Sequence, residues 1–236
     1  MILGELSAQV DGAGPPVVML HGNSESSAVF DRMLPYLEGF TLIRLDSRGH
    51  GASQRGSGPL TIARLAQDTC GALRAYQRLS TSRQRFGLIG FSDGANIGLE
   101  VAIHRPNLLA AEVLIGGNTT PAALKKLIRA EILAGYWALA AAGQVNSRAR
   151  RRAEVFGLMV NQPNVTKAQL KAVTVPTLVM AGQRDIVPRG ESQRVASLVP
   201  GAQWVELTGQ GHLLPRTAPD LTGQLAAAFL RPHLAV

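Results

Sequence analysis

The stretch Phe86–His104 reads FGLIGFSDGANIGLEVAIH, and fold and chemistry can both be read from it. Phe86 to Ile89 is a short apolar run, and Ala95 to His104 has a helical pattern. Between them lies Gly90-Phe91-Ser92-Asp93-Gly94, a G-x-S-x-G motif in a strand–turn–helix setting. A strand that turns abruptly into a helix tolerates only small neighbours around the serine, and glycine two residues to either side removes the clash. Such a turn lifts the hydroxyl clear of the sheet at a helix N-terminus, where the helix dipole favours developing negative charge. Ser92 is therefore the candidate nucleophile. The competing reading is a glycine-rich turn with a capping serine.

Outward from this motif, short apolar runs alternate with helical patterns. Val17 to Leu20, Thr41 to Leu45, Val113 to Ile115 and Thr177 to Ala181 are rich in branched residues and bounded by Gly or Pro, as buried strands are. Gln203 to Leu207 reads as a last strand, and Met1 to Val10 holds weaker strand signals. Leu60 to Leu79, Arg189 to Leu198 and Pro219 to Leu230 read as helices. This alternation predicts an α/β fold, a parallel sheet with helices on both faces. The segment Thr120 to Lys171 interrupts it. Thr120 as an N-cap before Pro121 predicts one long helix over Pro121 to Ala142, ended by Gly143, and a second helix over Ser147 to Val160. The expected organisation is a core of residues 1–117 and 172–236 with a helical insertion at 118–171.

Composition sets outer limits. With 236 residues, 46% apolar and 17% charged, one folded domain with an insertion is expected, not disorder. The single cysteine, Cys70, excludes a disulfide framework and a cysteine-built zinc site, and reads as a small buried side chain. The first ten residues lack the basic start of a secretory signal. The longest uncharged run, Ile132 to Ser147, is too short and polar to span a bilayer. A soluble cytoplasmic protein is the expectation, and oligomeric state is open. Residues 118–171 carry +7 of the chain's net +8. A basic patch attracts nucleic acid, anionic lipid or acidic substrates, or is simply a solvated face. No recognisable nucleic-acid-binding module accompanies it, so nucleic acid is not expected as a partner.

A serine needs a base, and the base an orienting acid. Of the five histidines, His212 sits in Gly209-Gln210-Gly211-His212 after the last strand, at the carboxyl end of the sheet where ligands bind in open α/β folds. Asp185 follows the strand Thr177 to Ala181 at the same edge; its bland reading is a turn former. The order Ser92, Asp185, His212 is that of one group of serine hydrolases. Val17 to Leu20 runs into His21-Gly22-Asn23, so the backbone N–H groups of Asn23 and Asp93 are candidates for an oxyanion hole. No metal-ligand spacing, P-loop or dinucleotide fingerprint appears, and no metal or cofactor is expected.

With these residues in place the chain resembles the α/β-hydrolase superfamily, through His21-Gly22-Asn23, Asp46-Ser47-Arg48-Gly49-His50-Gly51, Gly90 to Gly94, Asp185 and His212. The resemblance implies an eight-stranded, mostly parallel sheet, a cap formed by 118–171, and a structural role for the Asp46 to Gly51 turn. A serine nucleophile argues against the dehalogenases and epoxide hydrolases of that superfamily, which use aspartate. Together the residues predict a serine hydrolase acting on a small-molecule ester of a small acid through an acyl-enzyme. Carbon–carbon bond hydrolysis, perhydrolysis and a non-catalytic ligand-binding role stay open. The Phe91 to Gly94 elbow is similar to that of valacyclovirase-like hydrolases, which would make Asp93 a holder of a substrate amino group; the alternative is that Asp93 merely suits the helix N-terminus. Tyr136 and Trp137, on the predicted long helix, are candidates for the substrate pocket or for ordinary packing.

Overall fold

In the computed structural model, which describes residues 1–80 and 83–234, eight strands form one sheet in the order β1-β2-β4-β3-β5-β6-β7-β8. They are β1 (Ile2–Leu3), β2 (Leu6–Gly12), β3 (Pro16–Leu20), β4 (Thr41–Leu45), β5 (Phe86–Phe91), β6 (Leu109–Ile115), β7 (Thr177–Gly182) and β8 (Gln203–Leu207). β1–β2 and β2–β4 pair antiparallel; every pairing from β4 to β8 is parallel. The helices are α1 (Ile62–Ser80), α2 (Asp93–His104), α3 (Lys126–Ala142), α4 (Ser147–Asn161), α5 (Lys167–Lys171), α6 (Arg189–Leu198), α7 (Leu214–Thr217) and α8 (Pro219–Leu234). Among the described residues no helix is long and apolar enough to cross a membrane.

β3, β5, β6 and β7 are buried along their whole length, as strands covered on both faces must be. Their side chains alternate between two cores. Val17, Met19, Ile89 and Phe91 pack with Ala226 and Leu230 of α8. Val18, Leu20 and Leu88 pack with Leu65 and Leu73 of α1 and with Ile97 and Val101 of α2. The chain goes from β3 to β4 on one side and then crosses over to β5 on the other. The carboxyl ends of β3 and β5 thus flank a topological switch point, the place where open α/β sheets form a ligand crevice.

β6 begins at Leu109, four residues before the apolar run that marks it in sequence. Ala110, Ala111 and Glu112 are weak strand formers, but both faces are covered there and the ladder continues. Glu112 is fully buried. Its Oε1 is hydrogen-bonded to Thr177 Oγ1 at 3.1 Å, and its Oε2 has no partner among the described residues. Burial pushes its carboxyl up to about 8. The folded chain therefore holds a proton that the unfolded chain releases at lower pH, and stability from this group falls as pH rises from the unfolded carboxylate value through about 8. We expect Tm to decline over that window and Glu112→Gln to flatten the decline, measured by thermal melts across the range.

The helical segment between β6 and β7 departs from the sequence reading at its start. Pro121–Ala123 is a separate 3-10 turn, Leu124 is extended, and the long helix begins only at Lys126. The Lys125 N–H is drawn 3.2 Å from Ile186 O, which holds the chain extended where the helix was expected to run. Gly143 does end α3, and Asn146 caps α4 by accepting from the N–H groups of Arg148 and Ala149. α5 is an unanticipated element, although Thr166 and Gln169 form the capping box whose pattern is visible in sequence. Three contacts tie α4 and its exit to the sheet's carboxyl edge. Asn23 Nδ2 donates to Val155 O at 2.8 Å, Arg55 pairs with Glu154 at 2.7 Å, and Ile62 N donates to Gln162 Oε1 at 2.7 Å.

Candidate active site

Ser92 stands alone between the end of β5 and the start of α2, at φ 54° and ψ −119°. This backbone conformation costs a non-glycine residue about 1–3 kcal/mol and persists only where the surroundings enforce it. Here they do. Ser92 N donates to Ile115 O at 2.8 Å, and Ser92 O accepts from Ala95 N at 2.9 Å and Asn96 N at 3.1 Å. α2 also packs backbone to backbone against the neighbouring strand. A Cβ on Gly94 would lie 1.9 Å from Leu20 O, and one on Gly90 would lie 2.4 Å from Gly94 O. Both glycines of the motif are therefore steric requirements of the turn.

The loops after β7 and β8 bring the other two residues to the serine. His212 Nε2 lies 3.1 Å from Ser92 Oγ, and His212 Nδ1 lies 2.7 Å from Asp185 Oδ1. The same Asp185 oxygen accepts from Val187 N at 2.9 Å, and Asp185 is buried. The Phe91 ring supports the imidazole at a centroid distance of 5.1 Å. Gly116, at φ 62° just after β6, lets the ring come this close, since a Cβ there would sit 2.9 Å from two imidazole atoms. Gly116 is a residue the sequence reading passed over. Its only signal is a glycine directly after a buried strand.

β3 delivers His21-Gly22-Asn23 beside this group. The backbone N–H groups of Asn23 and Asp93 have no partner among the described residues. The Asn23 side chain donates to Asp93 Oδ2 at 2.9 Å, and Asn96 Nδ2 lies 3.4 Å from Asp93 Oδ1, so both carboxylate oxygens already face amides within the protein. Burial pushes the Asp93 carboxyl up, against the pull of those amides. His21 is neutral. Burial and nearby His50 lower its pKa to about 4. Its Nε2 accepts from Ser47 N at 2.9 Å, so Nδ1–H donates to Gly22 O at 2.7 Å. The Asp46 to Gly51 turn is fastened to the segments around it. Asp46 accepts from Ser27 N and Ala52 N, and Arg48 is paired with Asp68 and Glu5.

Glu25 is a second residue that sequence reasoning missed. It is half-buried, pairs with Arg216 at 3.3 Å, and burial pushes its carboxyl up against the pull of Arg216 and His212. Tyr136 and Trp137 pack edge to face at 5.1 Å on α3. Trp137 is exposed. Tyr136 lines a cleft of about 620 Å³ with Arg55, Pro59, Leu60 and Gly157, none of which belongs to the Ser92–His212–Asp185 group. Cys70 is buried on α1.

A family model for the alpha/beta hydrolase fold matches residues 15–156. The pyrrolizixenacetamide deacetylase of Xenorhabdus hominickii is 25% identical over 260 residues, covering 96% of this chain and 94% of that protein. A hydrolase from Pseudomonas aeruginosa PA01 superposes with a TM-score of 0.76 at 25% identity, covering 95% of this chain and 94% of the other. A thermophilic esterase from Thermogutta terrifontis superposes with a TM-score of 0.79 at 22% identity, covering 98% and 94%. The relatives are hydrolases, and the sheet order, the helices on both faces and the matched residues lead to one assignment: the chain belongs to the α/β-hydrolase family.

Proposed function

We propose that the protein is a serine hydrolase that cleaves a carboxylic ester of a small acid through an acyl-enzyme. The observation that carries this reading is the continuous chain of contacts from Ser92 Oγ to His212 Nε2 and from His212 Nδ1 to Asp185 Oδ1. Asp185 accepts a hydrogen bond from His212 Nδ1–H, which leaves the Nε2 lone pair facing the hydroxyl. Ser92 attacks the ester carbonyl as His212 takes its proton. The tetrahedral oxyanion is held by the backbone N–H groups of Asn23 and Asp93, which have no other partner among the described residues. His212 then protonates the leaving alcohol. Water, deprotonated by His212, attacks the acyl-enzyme, and collapse of the second tetrahedral species frees the acid and restores Ser92.

Asp93 serves in this reading as an anchor for the Asn23 loop, because both of its oxygens face amides. Residues 118–171 act as a short cap, fastened above the site through Asn23 and Val155. The small acid is supported by the acetyl group in the relative's activity as a deacetylase. Initial rates on p-nitrophenyl esters from acetate to decanoate, with p-nitroacetanilide alongside, test the proposal. We expect turnover with an optimum at short acyl chains. Background rates across the whole ester series would overturn it, and turnover of the anilide alone would move the substrate class to amides.

A further inference from the structure

We propose that the α3–α4 hairpin is a docking face for an anionic lipid bilayer. The observation behind this is a helix in which no residue is fully buried. α3 has 17 residues, is dominated by Ala and Leu, and none of its residues is buried. Leu127, Ala130, Ala134, Trp137, Ala138 and Ala141 fall on one face of it and are all exposed, with exposed Lys126 and Glu131 at its borders. Leu127 is 79% exposed, Trp137 65%, and Val145 at the hairpin tip 94%. The opposite face is where the helix meets α4, the Phe156 ring lying against Gly135 and the Tyr136 ring against Gly157. A folded chain in water rarely keeps an apolar stripe about 21 Å long without something to cover it.

Charge selects the occupant. Arg148, Arg151 and Arg152 stand exposed at the start of α4, next to Val145. None has a carboxylate partner among the described residues, and of the two acids in the insertion Glu154 is held by Arg55. These arginines crowd the positive end of the α4 dipole, an unfavourable placement that an external anion relieves. A second copy in a two-fold contact would bring two +7 segments together. The stripe also consists mostly of alanines, which give a protein partner no pocket for a side-chain anchor. A negatively charged bilayer suits both features. Trp137, Leu127 and Val145 enter the boundary between headgroups and acyl chains, and the arginines meet the lipid phosphates.

The test is vesicle flotation of the full chain, using phosphatidylcholine alone and phosphatidylcholine with phosphatidylglycerol. We expect flotation with the anionic vesicles only, release by high salt, and a blue shift of emission that Trp137→Phe removes. Arg148→Gln/Arg151→Gln/Arg152→Gln should lower partitioning about 100-fold. Leu127→Ser/Trp137→Ser should abolish it, and circular dichroism checks that both variants remain folded. The proposal is overturned if wild type stays with the protein fraction at low salt, or if the folded variants float as wild type does. It is also overturned if the lipid-free chain forms a dimer that Leu127→Ser/Trp137→Ser dissolves, since the face then belongs to a second copy.

Discussion

Ser92→Ala is expected to lower kcat on a short p-nitrophenyl ester by about 10⁶, leaving only the rate that binding and the oxyanion donors sustain. The hydroxyl oxygen is the atom that bonds to the substrate, and among the described residues Ser92 Oγ is the one hydrogen-bond partner of His212 Nε2, 3.1 Å away. The fold should not suffer. The backbone bonds of Ser92 to Ile115, Ala95 and Asn96 do not use the side chain, and alanine adds no atom to a turn that already holds a Cβ. Tm within about 2 °C of wild type, with KM for residual turnover little changed, separates loss of the nucleophile from loss of structure. A variant with more than a tenth of wild-type activity would remove Ser92 from the mechanism.

Asp185→Asn should lower kcat by about 10⁴ while the chain still folds. Asp185 Oδ1 receives two donors, His212 Nδ1–H and Val187 N–H, and its Oδ2 is buried with no partner among the described residues. Asparagine can meet this in two ways. With its oxygen in the Oδ1 position it keeps both bonds but loses the charge that stabilises the imidazolium, and it leaves an NH₂ in a buried place without an acceptor. With the amide reversed, His212 must accept at Nδ1, so Nε2 carries the proton and no longer serves as base. Both routes act after substrate binding, so kcat falls and KM stays close to wild type. An unchanged kcat, or a loss expressed in KM alone, would contradict the role given to Asp185.

The sheet was legible in sequence where burial on both faces leaves a short apolar run, as in Val17–Leu20 and Thr177–Ala181, which lie within β3 and β7. Thr41–Leu45 and Gln203–Leu207 also form as read, although each carries a charged residue and most of β8 is only partly buried. The sheet was less legible where burial overrides propensity. Glu112 in the middle of a strand looks like a loop residue until its neighbours are known. Local signals misled at Pro121, where a sound helix start opens only one 3-10 turn because Ile186 O holds the Lys125 N–H. The Ser92–His212–Asp185 group was legible because each residue follows a strand, and strand ends converge on one edge of a parallel sheet. Gly116 and the Asn23–Val155 bond were not, since each depends on a partner far away in sequence that only the packed fold supplies. Exposure along α3 was likewise invisible, because an apolar helix reads the same whether it is covered or bare.

The most direct test of the central claim is covalent. The chain is incubated with a fluorophosphonate, which reacts with activated serines, and the adduct is located by mass spectrometry of the digested protein. One adduct per chain on Ser92, absent in Ser92→Ala and formed far more slowly in Asp185→Asn, is the predicted result. An unlabelled wild-type chain, or an adduct on any other residue, would contradict it.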